Sequence, residues 1–485
     1  MIKDYQSQKT LGGSYDFCIL GAGPAGITLA LRLAEAGWRV LLAEGGGREY
    51  SAHSQALYHC TSSGLEMYAG ETRLRFLGGT SNHWAGRCRP FDASDFAAKP
   101  PVGLPGWPIS YADIERYLPQ ARAIVDLPEG EDFKAINPGL DGGEFDADRF
   151  LLSTPTRFAQ KYAKALEDTP GLDVFINCNC VDLEFDQGSG RVTAAVVSDY
   201  DLRRERVQAK QFILAMGALE NARQLLNSAS LRAAGVVTGD GLVGRCFMDH
   251  MNVEMGTFIL KSGESTTTRQ YYTSDAFVSE YQSGKGNVTA TVLDAVQAYG
   301  RTAEVKRFLE NLACDTGMAS KIDFIASFSC PGDGLLSTLI EQFPNRDSRL
   351  TLHEQKDALG VATLNMHWAL SDADRHTIKC IGTELAKQFA EADLGFVKLN
   401  PFVYDTEQPL KLEPHAHHMG TTRMAASPEH GVVDEQCKVF GTANLHIAGS
   451  SIFATGGAAN PTMPLLQFAL RLADHLNQQM KATTA

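Results

Sequence analysis

The feature that most constrains this chain is an apolar strand that runs straight into a glycine turn near its start. Phe17-Cys-Ile-Leu20 is a short uninterrupted apolar run, as a parallel strand buried on both faces requires. Gly21-Ala-Gly-Pro-Ala-Gly26 follows, with Pro24 and Ala25 opening a helix on which Ile27, Ala30, Leu31 and Ala34 share one face. Gly37 ends that helix, and Arg39–Ala43 reads as a second strand finishing at Glu44 and Gly45. Gly21 permits the tight turn, Gly23 lets backbone approach a pyrophosphate, and Gly26 lets helix pack on strand. Glu44 stands 18 positions after Gly26, the spacing of a carboxylate that binds a ribose hydroxyl. An acid there, where a 2′-phosphate would want a base, selects FAD or NAD over NADP.

A second GxGxxG, Gly239-Asp-Gly-Leu-Val-Gly244, shares only the letters. No strand pattern precedes it and no helical alternation follows, so it predicts no nucleotide site and no separate NAD(P)H domain. The 485 residues suggest two or three domains with ample core. A net charge of −13 repels phosphate polymers, which argues against nucleic acid as a partner. Phe17–Ala43, the longest apolar region, is broken by Arg32, Glu35 and Arg39, so no membrane span is expected. The 10 cysteines include no CxxC, and the N-terminus shows no export signal. Reduced thiols in a cytoplasmic protein are therefore expected.

Further along, Val174–Asn177, Val181–Asp186 and Arg191–Ser198 read as strands, the last two joined by a turn at Gln187–Gly190. Gln211–Ala215 reads as another buried strand, and Gly217 leads from it into a helix over Leu219–Asn227. Pro100–Pro108 reads as a rigid connecting loop. Alternation with many aromatics from about 245 to 400 predicts an antiparallel sheet with helices. The expected organisation is a discontinuous dinucleotide domain in two parts, 1–244 and 401–485, around a substrate domain at 245–400.

The C-terminal region carries the groups suited to chemistry. His417-His-Met-Gly-Thr-Thr-Arg-Met424 offers an imidazole, and Gly456-Gly-Ala-Ala-Asn-Pro-Thr-Met463 offers an amide, Asn460, at a predicted Pro461–Asn477 helix. Asn460 followed by Pro461 is also a good N-cap and N1 pair, which is its purely structural alternative. For His417 the structural alternative is a core histidine. The cluster His415, His417 and His418 lacks an accompanying carboxylate or cysteine set, so no metal is expected.

Together with Gly78-Gly-Thr-Ser-Asn-His-Trp84, Ala215–Arg223 and Val243–His250, these motifs resemble the glucose–methanol–choline (GMC) flavoprotein oxidoreductases, most closely the pyranose-oxidase-like and bacterial sugar or alcohol dehydrogenase branch. Gly449 stands where many members carry an aspartate. The resemblance implies an α/β, Rossmann-like FAD-binding domain plus an α+β substrate domain with an antiparallel sheet. It implies oxidation of a CH–OH group, with His417 accepting the hydroxyl proton, Asn460 holding the oxygen, and hydride passing to flavin N5. An imidazole with a pKa near ~6.5 suits that task. FAD contacts are implied at Gly78, Gly79, Thr80, Asn82, His83, Val181, Gly217, Ser450, Pro461 and Thr462. Attachment through His83 is open between a covalent bond and a noncovalent contact. The implied substrate is a sugar, polyol, aminosugar or glycoside, and the acceptor is oxygen or a quinone-type compound; oligomeric state is left open. The competing readings are an NAD(P)H-fed flavin hydroxylase or reductase, and a non-catalytic flavin-binding protein.

Overall fold

A computed structural model describes residues 1–8, 10–98, 103–131, 133, 140, 143–146, 150–261, 268–292, 333–405 and 407–484. Part of the expected 100–108 loop lies outside the described residues. The apolar run becomes a strand over Tyr15–Leu20, and the helix begins at Pro24 and ends at Glu35. This strand is the centre of a six-stranded sheet. On one side lie Val40–Ala43, Leu172–Ile176 and Ile2–Asp4; on the other lie Ala209–Leu214 and Leu445–Ile447. All of its pairings are parallel. Because neighbours leave Tyr15–Leu20 in opposite directions, a crevice opens at the carboxyl ends of the central strands, where doubly wound sheets bind ligands. Gly26 shows why helix and strand can close so tightly: a Cβ there would sit 1.9 Å from the Gly21 carbonyl oxygen.

The C-terminal helix spans Thr462–Thr484, longer than the predicted Pro461–Asn477. Buried Leu466, Ala469, Ala473, Leu476 and Met480 continue its core face past Asn477, and each burial of a large apolar side chain contributes about 1.5–3 kcal/mol. Asn179–Asp186, Arg191–Ser198 and Arg204–Val207 form an antiparallel meander, with the predicted turn between its first two strands. Residues 239–244 lie in turns between the short helix Ala229–Ala233 and the strand Met251–Leu260, not in a strand–helix unit.

The second large sheet is antiparallel. Its order is Gly395–Leu399, Met251–Leu260, Asp333–Ile340, Gly286–Val292, Arg269–Thr273 and Phe145–Asp146, with Glu413–Pro414 pairing beside Met251. Strand alternation gives it two chemically different faces. One is apolar and packs on the helix Asp372–Glu391: Val253, Val288, Leu336 and Ile340 share a core with Ile378, Ile381, Leu385 and Phe389. The other is polar and faces a cavity. A smaller sheet pairs Ala362–Trp368 antiparallel with Arg349–Lys356 and parallel with Cys60–Gly64. No helix among the described residues is long and apolar enough to cross a membrane. The eight described cysteines are free thiols.

Candidate active site

A cavity of about 860 Å³ runs from the carboxyl ends of the parallel strands to the polar face of the antiparallel sheet. Gly21, Glu44 and Ala215, the residues that follow three adjacent strands, line it. Gly23, Pro24 and Ala25 bring the positive end of the first helix to its wall, and nothing lies within 4 Å of where a Gly23 Cβ would be. The buried Glu44 carboxylate accepts the amides of Ala22 and Gly46, each at 2.9 Å, so it also ties the glycine turn to the second strand. Each carboxylate oxygen retains accepting capacity, and Glu44 borders the cavity. Arg75 lies against Gly45, where a Cβ would come within 2.3 Å of its guanidinium, and donates to Asn179 at 2.8 Å. Bare backbone at Gly23, a helix N-terminus, a carboxylate and an adjacent guanidinium are the donor set that a dinucleotide pyrophosphate and ribose require. The site fits FAD.

Gly79, Thr80, His83, Gly217, Ser450, Pro461 and Thr462 also border the cavity, together with His417 and Asn460. Burial, then the Arg157 charge, lowers the pKa of His83. Four anticipated contact residues stand behind that wall. Gly26 packs on Gly21, Gly78 turns the chain at φ +89° and donates its amide to Ala22, and Asn82 donates to the carbonyls of Leu77 and Gly79. Val181 packs with Leu57 and Leu359, of which Leu359 reaches the cavity. Cys178 and Cys180 line the cavity instead, since alternate residues of a strand face opposite ways.

At the far end the segment carrying His417 is pinned by pairing that sequence does not reveal. Met248 and Met419 form an antiparallel bridge. Between them the fully buried Asp249 carboxylate accepts the amides of His417 at 2.7 Å and Ala416 at 3.0 Å. Burial pushes Asp249 up to about 7, opposed by those backbone amides. Ala416 takes φ +59°, a left-handed turn that sets His417 into the cavity. The His417 ring stands nearly perpendicular to that of His250, at an interplanar angle of 87°, and their Nδ1 atoms are 2.8 Å apart. His250, wholly buried, has its Nε2 2.8 Å from the carbonyl oxygen of Gly457. In the sequence His250 is only the last residue of the Val243–His250 motif; nothing local marks it as a partner of His417. Burial, then the charges of His250, His415 and His418, holds His417 well below the usual imidazole value. His418 borders the same cavity, its Nε2 3.4 Å from the Thr72 hydroxyl, and burial followed by the Arg73 charge takes it to about 3.

Asn460 does not cap the C-terminal helix. That helix starts at Thr462, and the Pro461 carbonyl accepts its first bond, from Leu465 at 2.9 Å. The buried Asn460 Oδ1 has no partner among the described residues. A buried amide oxygen without a hydrogen bond costs about 1–3 kcal/mol, so a group that occupies the cavity and pairs with it recovers that cost. Also unanticipated was the polar sheet face: Asn252, Asn287, Thr289, Thr291 and Ser337 border the cavity. Their register places Asn287 opposite Leu339 and Thr289 opposite Ser337. The alternation Asn287-Val-Thr-Ala-Thr291 is the signal that foretells this face. Asn287 is 3% exposed, and its Nδ2 has no partner among the described residues. No cluster of potential metal ligands occurs among the described residues.

Residues 344–469 match the family described as GMC oxidoreductase, and residues 16–238 match FAD dependent oxidoreductase. The chain is 24% identical to 2-methyl-1,2-propanediol dehydrogenase of Mycolicibacterium austroafricanum, covering 96% of this chain and 95% of that one. It is also 24% identical to the fructose dehydrogenase large subunit of Gluconobacter japonicus, over 98% and 99%. Among solved structures, pyridoxine 4-oxidase from Mesorbium loti superposes with a TM-score of 0.59 at 18% identity, over 95% of this chain and 99% of that one. The dinucleotide cradle and these matches agree: the chain is a FAD-dependent oxidoreductase whose C-terminal region, residues 344–469, is similar to the GMC oxidoreductases.

Proposed function

We propose that this enzyme oxidises a CH–OH group of a polyhydroxylated small molecule, a sugar, polyol, aminosugar or glycoside, with His417 as base and Asn460 as the group that holds the oxygen. The observation that carries the reading is one cavity bordered by the nucleotide cradle, by His417, and by Asn460, whose buried amide oxygen has no partner among the described residues. Bound FAD supplies the hydride acceptor. The protein's share is positioning and proton transfer. His417, neutral because burial disfavours its charged form, accepts the hydroxyl proton as positive character builds on carbon. An amide carries a donor and an acceptor on one side chain, so Asn460 turned over presents Nδ2–H to the developing alkoxide. The N-terminal end of the Thr462–Thr484 helix, bordering the same cavity, favours negative charge there.

The polar sheet face supports a polyhydroxylated substrate. Asn287, Thr289, Thr291 and Ser337 offer donors and acceptors where a simple hydrocarbon alcohol would leave them unpaired. The propanediol and fructose named for two relatives agree with that class. Anaerobic mixing with a panel of simple alcohols, polyols, sugars and glycosides tests the proposal through loss of the oxidised flavin absorbance. Polyhydroxylated members should bleach the flavin, and NADPH should not. Bleaching by NADPH and by no alcohol would place the enzyme with the reductases instead.

A further inference from the structure

The contact between His250 and His417 contains more information than a distance. Its two Nδ1 atoms, 2.8 Å apart, share one hydrogen, so one ring donates and the other accepts. The other nitrogen of His250 decides which. Its Nε2 lies 2.8 Å from the carbonyl oxygen of Gly457, and a carbonyl only accepts, so Nε2 carries a hydrogen. A neutral His250 then has its lone pair on Nδ1 and must accept there. Burial takes His250 to about 4, which keeps it neutral near pH 7.

We propose that His250 is a positioning residue that locks the tautomer of His417, holding the proton on Nδ1 and leaving Nε2 as the lone pair offered to the substrate hydroxyl. The inference rests on the reading of His417 as the base. When the substrate O–H bond breaks, its proton goes to His417 Nε2, the carbon–oxygen double bond forms, and the hydride leaves to the bound FAD. The His417 Nδ1–H bond to His250 is unchanged throughout, so no reorientation is required at the moment of transfer. His250 is itself held. The Gly457 amide donates to the buried Glu341 carboxylate at 3.1 Å, and the His415 amide donates to the His250 carbonyl at 3.2 Å. The charged or titratable groups around the pair are His415 and His418 on the His417 segment, Asp249 on the His250 segment, and Glu341 behind Gly457.

The test compares His250→Leu, which removes the acceptor, with His250→Asn, whose Oδ1 restores one near the Nδ1 position. Limiting rates of anaerobic flavin reduction and substrate Kd are measured in FAD-loaded protein. The Leu variant should lose roughly 10²–10⁴-fold in limiting rate with Kd nearly unchanged, as a wrong-tautomer base does. The Asn variant should recover to within about tenfold of the parent. A Leu variant as fast as the parent, or an Asn variant as slow as Leu, overturns the inference. A second measurement does not depend on variants of His250 folding: ¹⁵N-histidine spectra of the parent holoenzyme, with His417 assigned by its loss in His417→Ala. Nδ1 of His417 should be the protonated, pyrrole-like nitrogen and Nε2 the pyridine-like one; the reverse overturns the inference. If His417→Ala keeps full activity, the base reading itself fails. If that variant is slow while His250→Leu is fast, only the tautomer lock fails.

Discussion

The Glu44 carboxylate reaches back to accept the backbone amide of Ala22 at 2.9 Å, joining the end of the second strand to the middle of the glycine turn. One side chain thus braces the turn and borders the place where the ribose would lie. Glu44→Ala removes both functions and should weaken FAD binding by about 1.5–3 kcal/mol, a charge-assisted hydrogen bond's worth. Glu44→Gln, which keeps one acceptor oxygen, should fall between the two. Fluorescence titration of the apoprotein measures this, and parent-like FAD affinity in Glu44→Ala would show that the ribose lies elsewhere.

At the reacting end, His417→Ala should bind FAD normally and lose flavin reduction by roughly 10²–10⁴-fold, the usual cost of removing a general base. His418→Ala is expected to be milder, because its ring faces Thr72 and lies on the Arg73 side. Stopped-flow reduction of the two variants decides between them. A slow His418 variant beside an active His417 variant moves the base by one residue.

The pH dependence follows from the direction of the His417 shift. A lowered pKa keeps the neutral, proton-accepting imidazole populated as pH falls through 6.5. Its contribution to kcat/KM should therefore be flat from pH 8 to 6.5 and decline only below. Asp249, pushed up to about 7, titrates inside that window. A limb near 7 that disappears in Asp249→Asn belongs to that carboxyl, whereas one that persists there contradicts the neutral-base assignment.

Substrate preference should respond to Asn287. Its buried Nδ2 has no partner among the described residues. Asn287→Leu should lower kcat/KM for a polyol or sugar by roughly tenfold while leaving a simple primary alcohol nearly unaffected, since one neutral hydrogen bond is worth about 0.5–1.5 kcal/mol. Equal losses for both substrates would mean that the variant disturbs the sheet and not recognition.

Gly457 offers a stability test of the His250 support. It adopts φ +58°, and a Cβ there would sit 2.9 Å from the Phe91 ring and 3.1 Å from an Asp95 carboxylate oxygen. Gly457→Ala should cost about 1–3 kcal/mol from overpacking, read as a lower Tm of the FAD-loaded enzyme. It should also slow flavin reduction, because the carbonyl facing His250 Nε2 shifts. An unchanged Tm and rate would show that this stretch has room to give.

The nucleotide half was legible because its determinants are local. Strand, glycine turn, helix and acid occupy one stretch from Tyr15 to Glu44, and each step follows from dihedral freedom and apolar spacing within a few residues. The same holds for the turn at Gln187–Gly190 and for the alternation that predicts an antiparallel sheet, though not for which of its faces lines the cavity. Asn460 shows where local preference misleads. An Asn-Pro pair suits a helix cap, yet the helix begins at Thr462, and only the packed structure leaves that amide oxygen without a partner among the described residues. His250 and His417 are 167 positions apart in the chain and meet because Met248 bridges Met419 across the sheet edge. Sequence spacing determined which residues can titrate and which can turn. Which nitrogen faces which oxygen was decided only when long-range pairing brought the two segments together, since a hydrogen bond depends on distance and direction that no local propensity encodes.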